Sequence, residues 1–231
     1  MTTRSAAKAL LVDFGGTLAT ERSSRAAIYA EAARARGVEV EDARMARLMA
    51  AAHDRLPREH DGEFRYGRGW FERFMRIIFT DELRLSSATL QGIAGELFAR
   101  FADARTFRVF PDARDLLGRA RARGLPIAVV SNWSEALDGL VRDLGLDVDV
   151  VLSSAVLRSE KPEPAIFLAA LRAVGADPAD ALHVGDSLRC DVEGARAVGV
   201  RAVLLDRSAT GRAGSAAKGV PRVRSLEDLE L

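Results

Sequence analysis

The chain has 231 residues, of which 48% are hydrophobic and 29% charged, and its formal net charge is +1. A charge this close to balance argues against a protein that binds nucleic acid or an anionic membrane surface. Cys190 is the only cysteine, which excludes an intramolecular disulfide and a thiolate metal cluster. The sequence has no apolar run long enough for a signal peptide or a membrane span, so we expect a cytoplasmic protein.

Five short apolar runs predict the strands of a parallel sheet. A strand that is covered on both faces is apolar almost throughout, whereas a strand with one solvated face alternates. These runs do not alternate, which favours a sheet with helices on both sides. The predicted strands are residues 9–14, 126–132, 148–154, 181–186 and 201–206.

The segments between the later strands have helical spacing and end on glycine, the usual C-terminal stop of a helix. Strands and helices that alternate in this way indicate a doubly wound α/β domain with a parallel, Rossmann-like sheet. Residues 207–221 are predicted to form a flexible loop before a short terminal element. The glycines that end the predicted helices are Gly124, Gly145, Gly175 and Gly199.

Residues 20–105 have a different pattern, because they contain no convincing strand. Apolar residues recur there at helical spacing, which predicts an all-helical cap domain inserted after the first strand. The core domain would then comprise residues 1–19 and 106–231. The predicted cap helices lie within residues 25–37, 43–56, 70–79 and 88–101.

Polar side chains follow four of the predicted strands. In a parallel sheet the carboxyl ends of the strands open on one edge, which is where ligands bind. Any one of these residues alone could be a turn or a helix cap, but together and in this order they predict a shared site. They are Asp13 with Thr17, Ser131 with Asn132, Lys161, and Asp186 with Asp191.

Four segments carry a resemblance to a known family. The order "DFGGTL", "VVSN", "EKPEPAIF" and "HVGDSLRCD" resembles the haloacid dehalogenase (HAD) superfamily of hydrolases, and the match covers nearly the whole chain. The helical insertion resembles the helical C1-type cap of its first subfamily.

The resemblance implies a chemistry for the acidic residues. Asp13 would be the nucleophile and would form an aspartyl-phosphate that water later cleaves. Lys161 would neutralise charge at the nucleophile and at the phosphoryl group. Mg²⁺ would be held by Asp13, Asp186 and Asp191 together with the backbone carbonyl of Gly15, because hard oxygen ligands suit this ion.

The same resemblance implies contacts to the substrate. Ser131 and the backbone around Asn132 would donate to phosphate oxygens, as would Lys161. Thr17 and the adjacent glycine turn would help to orient Asp13 and the bound phosphate. The expected partner is a small phosphorylated metabolite, and the protein would be a monomer or a homodimer.

Gly15 departs from the family's usual pattern. Phosphatases of this family commonly have Asp-x-Asp, in which the second acid protonates the leaving oxygen, a role worth about 10²- to 10⁴-fold in rate. Glycine cannot do this, so alkyl phosphates should suffer most. His53 or His60 could act instead, although we interpret both as solvated residues and His183 as a packed core residue. Trp133 either touches substrate or packs under the cap.

Two alternatives to a magnesium-dependent phosphate-ester hydrolase stay open at this point. One is a metal-independent hydrolase of the 2-haloacid dehalogenase type, although such enzymes usually lack the second pair of acids. The other is a catalytically weak protein that binds a phosphometabolite or a partner. Gly15 supports the second alternative, whereas the retained Asp13, Lys161, Asp186 and Asp191 count against it.

Overall fold

The computed structural model describes residues 6–208 and 219–231, and a six-stranded sheet forms its centre. The predicted loop 207–221 lies largely outside the described residues. The strands of the described chain are β1 (Ala9–Val12), β2 (Ala19–Glu21), β3 (Glu59–His60), β4 (Glu63–Phe64), β5 (Phe107–Val109), β6 (Ile127–Ser131), β7 (Val150–Ser153), β8 (Ala181–Gly185), β9 (Arg201–Leu205) and β10 (Arg222–Val223).

Helices cover the sheet and form the inserted domain. Two of them are joined to π-helical turns, at Arg76–Glu82 and Leu188–Glu193. The α-helices of the described chain are α1 (Arg25–Arg34), α2 (Asp42–Arg55), α3 (Arg68–Met75), α4 (Ser87–Ala102), α5 (Pro111–Ala122), α6 (Leu137–Asp143), α7 (Ser154–Leu157), α8 (Pro164–Val174) and α9 (Gly194–Ala197).

The main sheet has the order β10-β9-β8-β1-β6-β7, and its strand pairs are all parallel. This confirms the predicted doubly wound α/β fold and the five predicted strands. Strand β1 lies in the middle, where Leu11 is opposite Ala128 on one side and His183 on the other. The residue that follows β1 therefore emerges between the ends of two neighbouring strands. Strand β10 extends the edge, where only a short terminal element was predicted.

Both faces of β1 are buried, which explains its unbroken apolar run. Successive side chains of a strand point to opposite faces. Leu10 and Val12 belong to the cluster that includes Leu116 of α5, whereas Leu11 belongs to the cluster that includes Phe167 of α8. Each fully buried leucine contributes about 1.5 to 3 kcal/mol of transfer free energy. The two clusters hold the helices against both faces and fix the strand ends.

The inserted domain has a core of its own, built from α1 to α4. Trp70 is 2% exposed and belongs to it. The prediction that residues 20–105 contain no strand was wrong, because β3 and β4 form a short antiparallel hairpin there. Two-residue strands are too short to give a period-two signal. Strands β2 and β5 also pair antiparallel where the chain leaves and re-enters the core; the predicted boundary at 19/20 falls within β2, and the one at 105/106 lies just before β5.

No helix within residues 6–208 and 219–231 is both long enough and apolar enough to cross a membrane.

Asp112 joins the C-terminal segment to the core. Its carboxylate accepts two hydrogen bonds from Arg207, at 2.8 and 2.9 Å, one from the Ser225 hydroxyl at 3.0 Å and one from the Leu226 N–H at 2.9 Å. Burial alone would raise the pKa of Asp112, but these hydrogen bonds outweigh it and lower the pKa below its ordinary value. The ionised carboxylate therefore stabilises the fold.

Asp112→Asn is expected to lower the free energy of unfolding by about 2 kcal/mol at neutral pH, because hydrogen bonds to an ionised group contribute about 1.5 to 3 kcal/mol. Folding lowers this pKa, so the stabilisation is present above the unfolded pKa of about 3.9 and is lost as the pH falls through the folded value. Urea denaturation at pH 7 and in acid should show the difference between the two proteins narrowing in acid.

Asp115→Asn is the matched control for that substitution. Asp115 lies on the same helix and pairs with Arg119, but its side chain is 51% exposed. Exposed pairs contribute about 0 to 1 kcal/mol, so this change should have little effect at either pH. Equal losses for both substitutions, or a difference that does not change with pH, would contradict the role given to Asp112.

Candidate active site

Asp13 follows β1 directly and is anchored at the carboxyl edge of the sheet. Its N–H donates to the carbonyl of Val184 at 3.0 Å, and the residue is 5% exposed. The Ser131 hydroxyl donates to Asp13 Oδ1 at 2.9 Å, and Lys161 Nζ donates to the same oxygen at 2.6 Å. Three of the predicted site residues thus meet at one point.

Lys161 bridges two buried acids. Its Nζ lies 2.6 Å from Asp13 Oδ1 and 2.6 Å from Asp191 Oδ1. Burial alone would lower the pKa of this lysine, but the charges of Asp13 and Asp191 raise it above its ordinary value. The ammonium group is therefore charged at any physiological pH, and it partly offsets the two carboxylates.

Asn132 holds the loop that carries Lys161. Its amide oxygen accepts from the Lys161 N–H at 2.7 Å, and its amide nitrogen donates to the Lys161 carbonyl at 3.0 Å. The side chain is thus engaged with the protein backbone. The sequence offered Asn132 as a substrate contact, and that role stays a prediction.

Asp13, Asp186 and Asp191 each offer an oxygen within 4.8 Å of the others. Burial would raise the pKa of Asp191, but Lys161 and His183 outweigh it and lower the pKa. Desolvation in the cleft, together with the charges of Asp13 and Asp191, raises the pKa of Asp186 to about 7. Like charges crowded in this way favour a bound cation.

This donor set fits Mg²⁺. The three acids supply three hard oxygen ligands close together, which leaves further coordination positions for the waters and the substrate oxygen that this ion takes. A divalent cation would also relieve the repulsion that raises the pKa of Asp186. The carbonyl of Gly15 as a further ligand stays a prediction.

Two glycines let the acids approach the backbone. Gly16 has φ +78°, and a Cβ there would lie 2.3 Å from Asp186 Oδ2. A Cβ on Gly185 would lie 2.2 Å from Asp191 Cγ. No other residue type fits either position without displacing a carboxylate. The glycine turn beside Thr17, which includes Gly16, was expected to help orient Asp13, whereas the sequence did not point to Gly185.

His183 has a function that the sequence did not reveal. It is fully buried in β8, which confirms that it is a core residue. However, its Nε2 also lies 3.0 Å from Asp191 Oδ1, while the Ser187 N–H donates to Asp191 Oδ2 at 2.9 Å. The sequence signal for this bond was a single histidine within an apolar strand, because a buried polar group needs a hydrogen-bond partner.

Thr17 lies in the turn after Asp13, as expected, but its hydroxyl does not hydrogen-bond to Asp13. The residue is fully buried, and its Oγ1 has no hydrogen-bond partner within the described residues. The turn is instead held through its backbone, because Arg207 donates to the carbonyls of Gly16 at 3.3 Å and Thr17 at 3.0 Å. No local pattern in the sequence pointed to Arg207, because it is distant along the chain.

The two cap histidines differ in position. His53 lines a cavity together with Asn132 and Ser134 of the core, whereas His60 belongs to the β3–β4 hairpin. Burial, together with the charge of Arg65, lowers the pKa of His53. Its ring is therefore neutral near pH 7 and poorly suited to replace the acid that is missing at position 15.

Trp133 occupies the space beside Gly15. A Cβ on Gly15 would lie 3.2 Å from Cζ3 of the indole. The ring is held on its other sides by Phe14, with centroids 5.1 Å apart, and by Phe107, at 5.8 Å. Trp133 thus packs against two rings of the core and also lines a cavity together with cap residues, so a contact with substrate stays a prediction beside its packing role. Any side chain at position 15 must compete with it.

Ion pairs fasten the cap to the loop that carries Lys161. Arg58 pairs with Glu163, and Arg65 pairs with Glu160 at 3.1 Å. In a third pair the charges are exchanged, because Arg158 of the core pairs with Glu59 of the cap hairpin. The hairpin that the sequence did not reveal therefore contacts the segments on both sides of Lys161.

Comparisons with known proteins show the family of this chain. The model of the haloacid dehalogenase-like hydrolases matches residues 7–199. Human haloacid dehalogenase-like hydrolase domain-containing protein 3 is 33% identical over 204 residues, which is 84% of this chain and 79% of the relative. A phosphoserine phosphatase of Thermus thermophilus is 35% identical over 141 residues, or 60% of this chain and 57% of that protein.

A solved 2-haloacid dehalogenase from Pseudomonas syringae also has this fold, with a TM-score of 0.67 and 25% identity, covering 96% of this chain and 95% of that one. The chain therefore belongs to the haloacid dehalogenase-like hydrolases. The relatives differ in the reaction that their names give, so the reaction of this chain must be argued from its own site.

Gly15→Ala tests how tightly Trp133 fills the site. Overpacking costs about 1 to 3 kcal/mol, and 1 kcal/mol shifts the Tm of a chain of this size by about 2 to 4 °C, so we expect a Tm lower by several degrees. Gly139→Ala is the control, because Gly139 lies in α6 with nothing within 4 Å of an added Cβ, and alanine should raise the Tm slightly there.

The double variant Gly15→Ala with Trp133→Leu separates crowding from other causes. If the indole causes the loss, the alanine should cost much less in the Trp133→Leu background, as thermal melts of the four proteins would show. An undiminished cost in that background would contradict the crowding account.

Proposed function

We propose that this chain is a magnesium-dependent hydrolase of small phosphate monoesters and that it works through an aspartyl-phosphate on Asp13. The observation that carries the proposal is the arrangement of Asp13, Asp186 and Asp191 within 4.8 Å, with Lys161 bonded to two of them. Three acids this close together can bind a cation, and a cation beside a lysine can bind a phosphate dianion.

In this mechanism Asp13 attacks phosphorus. Ser131 and Lys161 both donate to its Oδ1, which fixes the carboxylate and leaves Oδ2 for the attack. Repulsion between the carboxylate and the incoming phosphate is reduced by the ammonium of Lys161. The buried surroundings strengthen this attraction, because the effective dielectric constant is lower than that of water.

Asp13, Asp186 and Asp191 would hold the cation. When bound, Mg²⁺ would supply charge neutralisation and Lewis-acid polarisation of a phosphoryl oxygen. His183 and Ser187 keep Asp191 oriented, as partners of a metal ligand usually do.

The expected substrate is a small phosphorylated metabolite, and the similarity to a phosphoserine phosphatase supports this class of reaction. A cytoplasmic location, a monomer or homodimer, and the division into domains at residues 19/20 and 105/106 stay predictions. The metal-independent dehalogenase and the non-catalytic binding protein remain as outcomes of the test below.

Asp13→Asn should abolish turnover. We expect hydrolysis of p-nitrophenyl phosphate by the native chain to require Mg²⁺, to stop with a chelator, and to fall by at least about 10³-fold in the variant, because the nucleophile is lost. Glycerol phosphate should be a far poorer substrate, since position 15 has no acid to protonate an alkoxide.

Other results would contradict the proposal. Turnover of a 2-haloacid that persists with a chelator would identify the dehalogenase alternative. Failure of the native protein to hydrolyse either ester better than Asp13→Asn would favour the binding protein.

Asp186→Asn should weaken the metal site without damaging the fold. Asp186 is the exposed member of the three acids, and its removal relieves repulsion among them, so the Tm without metal should be unchanged or higher. The Mg²⁺ concentration for half-maximal activity should rise by at least about tenfold, because one hard ligand has lost its charge. Asp138→Asn, on the exposed face of α6, is the control; an equal effect there would contradict the assignment.

A further inference from the structure

A cavity of about 280 Å³ lies between the cap and the core. On the core side it is lined by Asn132, Trp133 and Ser134, which directly follow Ser131 at the end of β6. Asn132 is also the residue that holds the Lys161 loop. Ser131 donates to Asp13, so the core wall of the cavity begins one residue after a hydrogen-bond partner of the nucleophile.

The walls of this cavity are mostly aromatic. Trp70, Phe71, Phe98 and Phe101 line it from the cap, opposite Trp133 from the core. Aromatic rings pack edge-to-face or offset against other rings and favour flat apolar groups. A cavity of about 150 Å³ with apolar walls is enough for benzene, so this one has room for one ring or two fused rings.

The cavity offers little to a charged substituent. Among its lining residues the permanently charged side chain is that of Arg25, and it is already paired with Glu21 at 3.0 Å. The guanidinium also lies 5.4 Å from the ring centroids of Phe101 and Trp133. The other polar side chains of the lining are uncharged, so an ammonium or a second anionic group of a substrate would lose water here without gaining an unpaired charge. They are Tyr29, His53, Tyr66, Asn132 and Ser134.

The lack of an acid at Gly15 independently favours an aromatic leaving group. Position 15 provides no acid, and a Cβ there would lie 3.2 Å from Cζ3 of the Trp133 indole, which is a tight contact. A leaving group that departs unprotonated must be a stable anion. A phenol has a pKa near that of tyrosine, about 10, so an aryloxide leaves far more readily than an alkoxide.

We propose that this cavity binds the leaving group of the substrate and that this group is a flat, uncharged aromatic ring. The chain would accordingly prefer aryl phosphate monoesters to phosphorylated amino acids and sugars. The inference rests on the proposed phosphatase function and names its substrate class.

The reaction balances as an ordinary phosphoryl transfer. Asp13 Oδ2 forms a bond to phosphorus while the bond from phosphorus to the aryl oxygen breaks, and the electron pair leaves on that oxygen. The aryloxide takes a proton from water. A second water then attacks phosphorus, so that the products are a phenol, inorganic phosphate and the free carboxylate of Asp13.

Binding of unreactive phosphonates separates the cavity from leaving-group reactivity. Isothermal calorimetry with Mg²⁺ would compare benzylphosphonate with 2-amino-4-phosphonobutanoate, the phosphonate counterpart of phosphoserine. We expect benzylphosphonate to bind at least about tenfold more tightly, which is about 1.4 kcal/mol. Equal affinities, tighter binding of the amino acid analogue, or no binding of benzylphosphonate would overturn the inference.

Phe98 provides the test of the cavity wall, because it is a partly exposed cap residue that contacts Phe71 with ring centroids 5.7 Å apart. Phe98→Ala, and Phe98→Leu as a milder change that keeps an apolar side chain, should each weaken benzylphosphonate binding severalfold and leave inorganic phosphate binding unchanged. Leu168→Ala, at a 38% exposed position on α8, is the control and should change neither. If the Phe98 variants also bound inorganic phosphate more weakly, the role of Phe98 as a wall for the ring would be overturned.

The two proposals fail in different ways. If phenyl phosphate is hydrolysed in a manner that needs Asp13 but the phosphonates show no aromatic preference, the substrate class is wrong and the phosphatase function stands. If the aromatic phosphonate is preferred but no phosphate ester is hydrolysed, the cavity assignment stands and the phosphatase function is wrong.

Discussion

Lys161 lies between Asp13 and Asp191, with its ammonium nitrogen 2.6 Å from an oxygen of each. All three side chains are buried, and each charge would cost several kcal/mol if it were buried alone. The arrangement is tolerable because the charges meet and because Ser131, His183 and backbone groups satisfy the remaining oxygens. Loops after three different strands must therefore converge at one edge of the sheet, and the doubly wound fold brings them there.

The same loop explains how the cap is coupled to the chemistry. The β3–β4 hairpin of the cap forms ion pairs with residues on both sides of Lys161. Exposed ion pairs of this kind contribute little to stability, about 0 to 1 kcal/mol each. They nevertheless set the distance and orientation of the hairpin relative to the Lys161 loop. The position of the cap, and with it the shape of the aromatic cavity, is thus tied to the loop that orients the lysine.

Gly15 and Trp133 are best understood as a pair. Position 15 and the indole are distant in sequence, but a Cβ at position 15 would lie 3.2 Å from the ring, which is closer than an ordinary van der Waals contact. Lost acid assistance costs about 10² to 10⁴ in rate for a poor leaving group and far less for a stable anion. The site is therefore restricted in the leaving groups it can expel, while the cavity above it favours rings.

The sequence by itself determined the fold class, the five longer strands of the main sheet, and that Asp13, Ser131, Lys161 and Asp191 lie at or after the carboxyl ends of these strands. These features depend on local patterns, namely apolar runs, helical spacing and glycine stops, which are visible in the sequence itself. The short hairpin, the bond from His183 to Asp191, the brace formed by Arg207 and the contact between Trp133 and Gly15 were decided by tertiary structure alone. Each joins residues that are distant along the chain or too few to form a period, so their proximity exists only once the sheet has ordered its strands and the cap has packed above them.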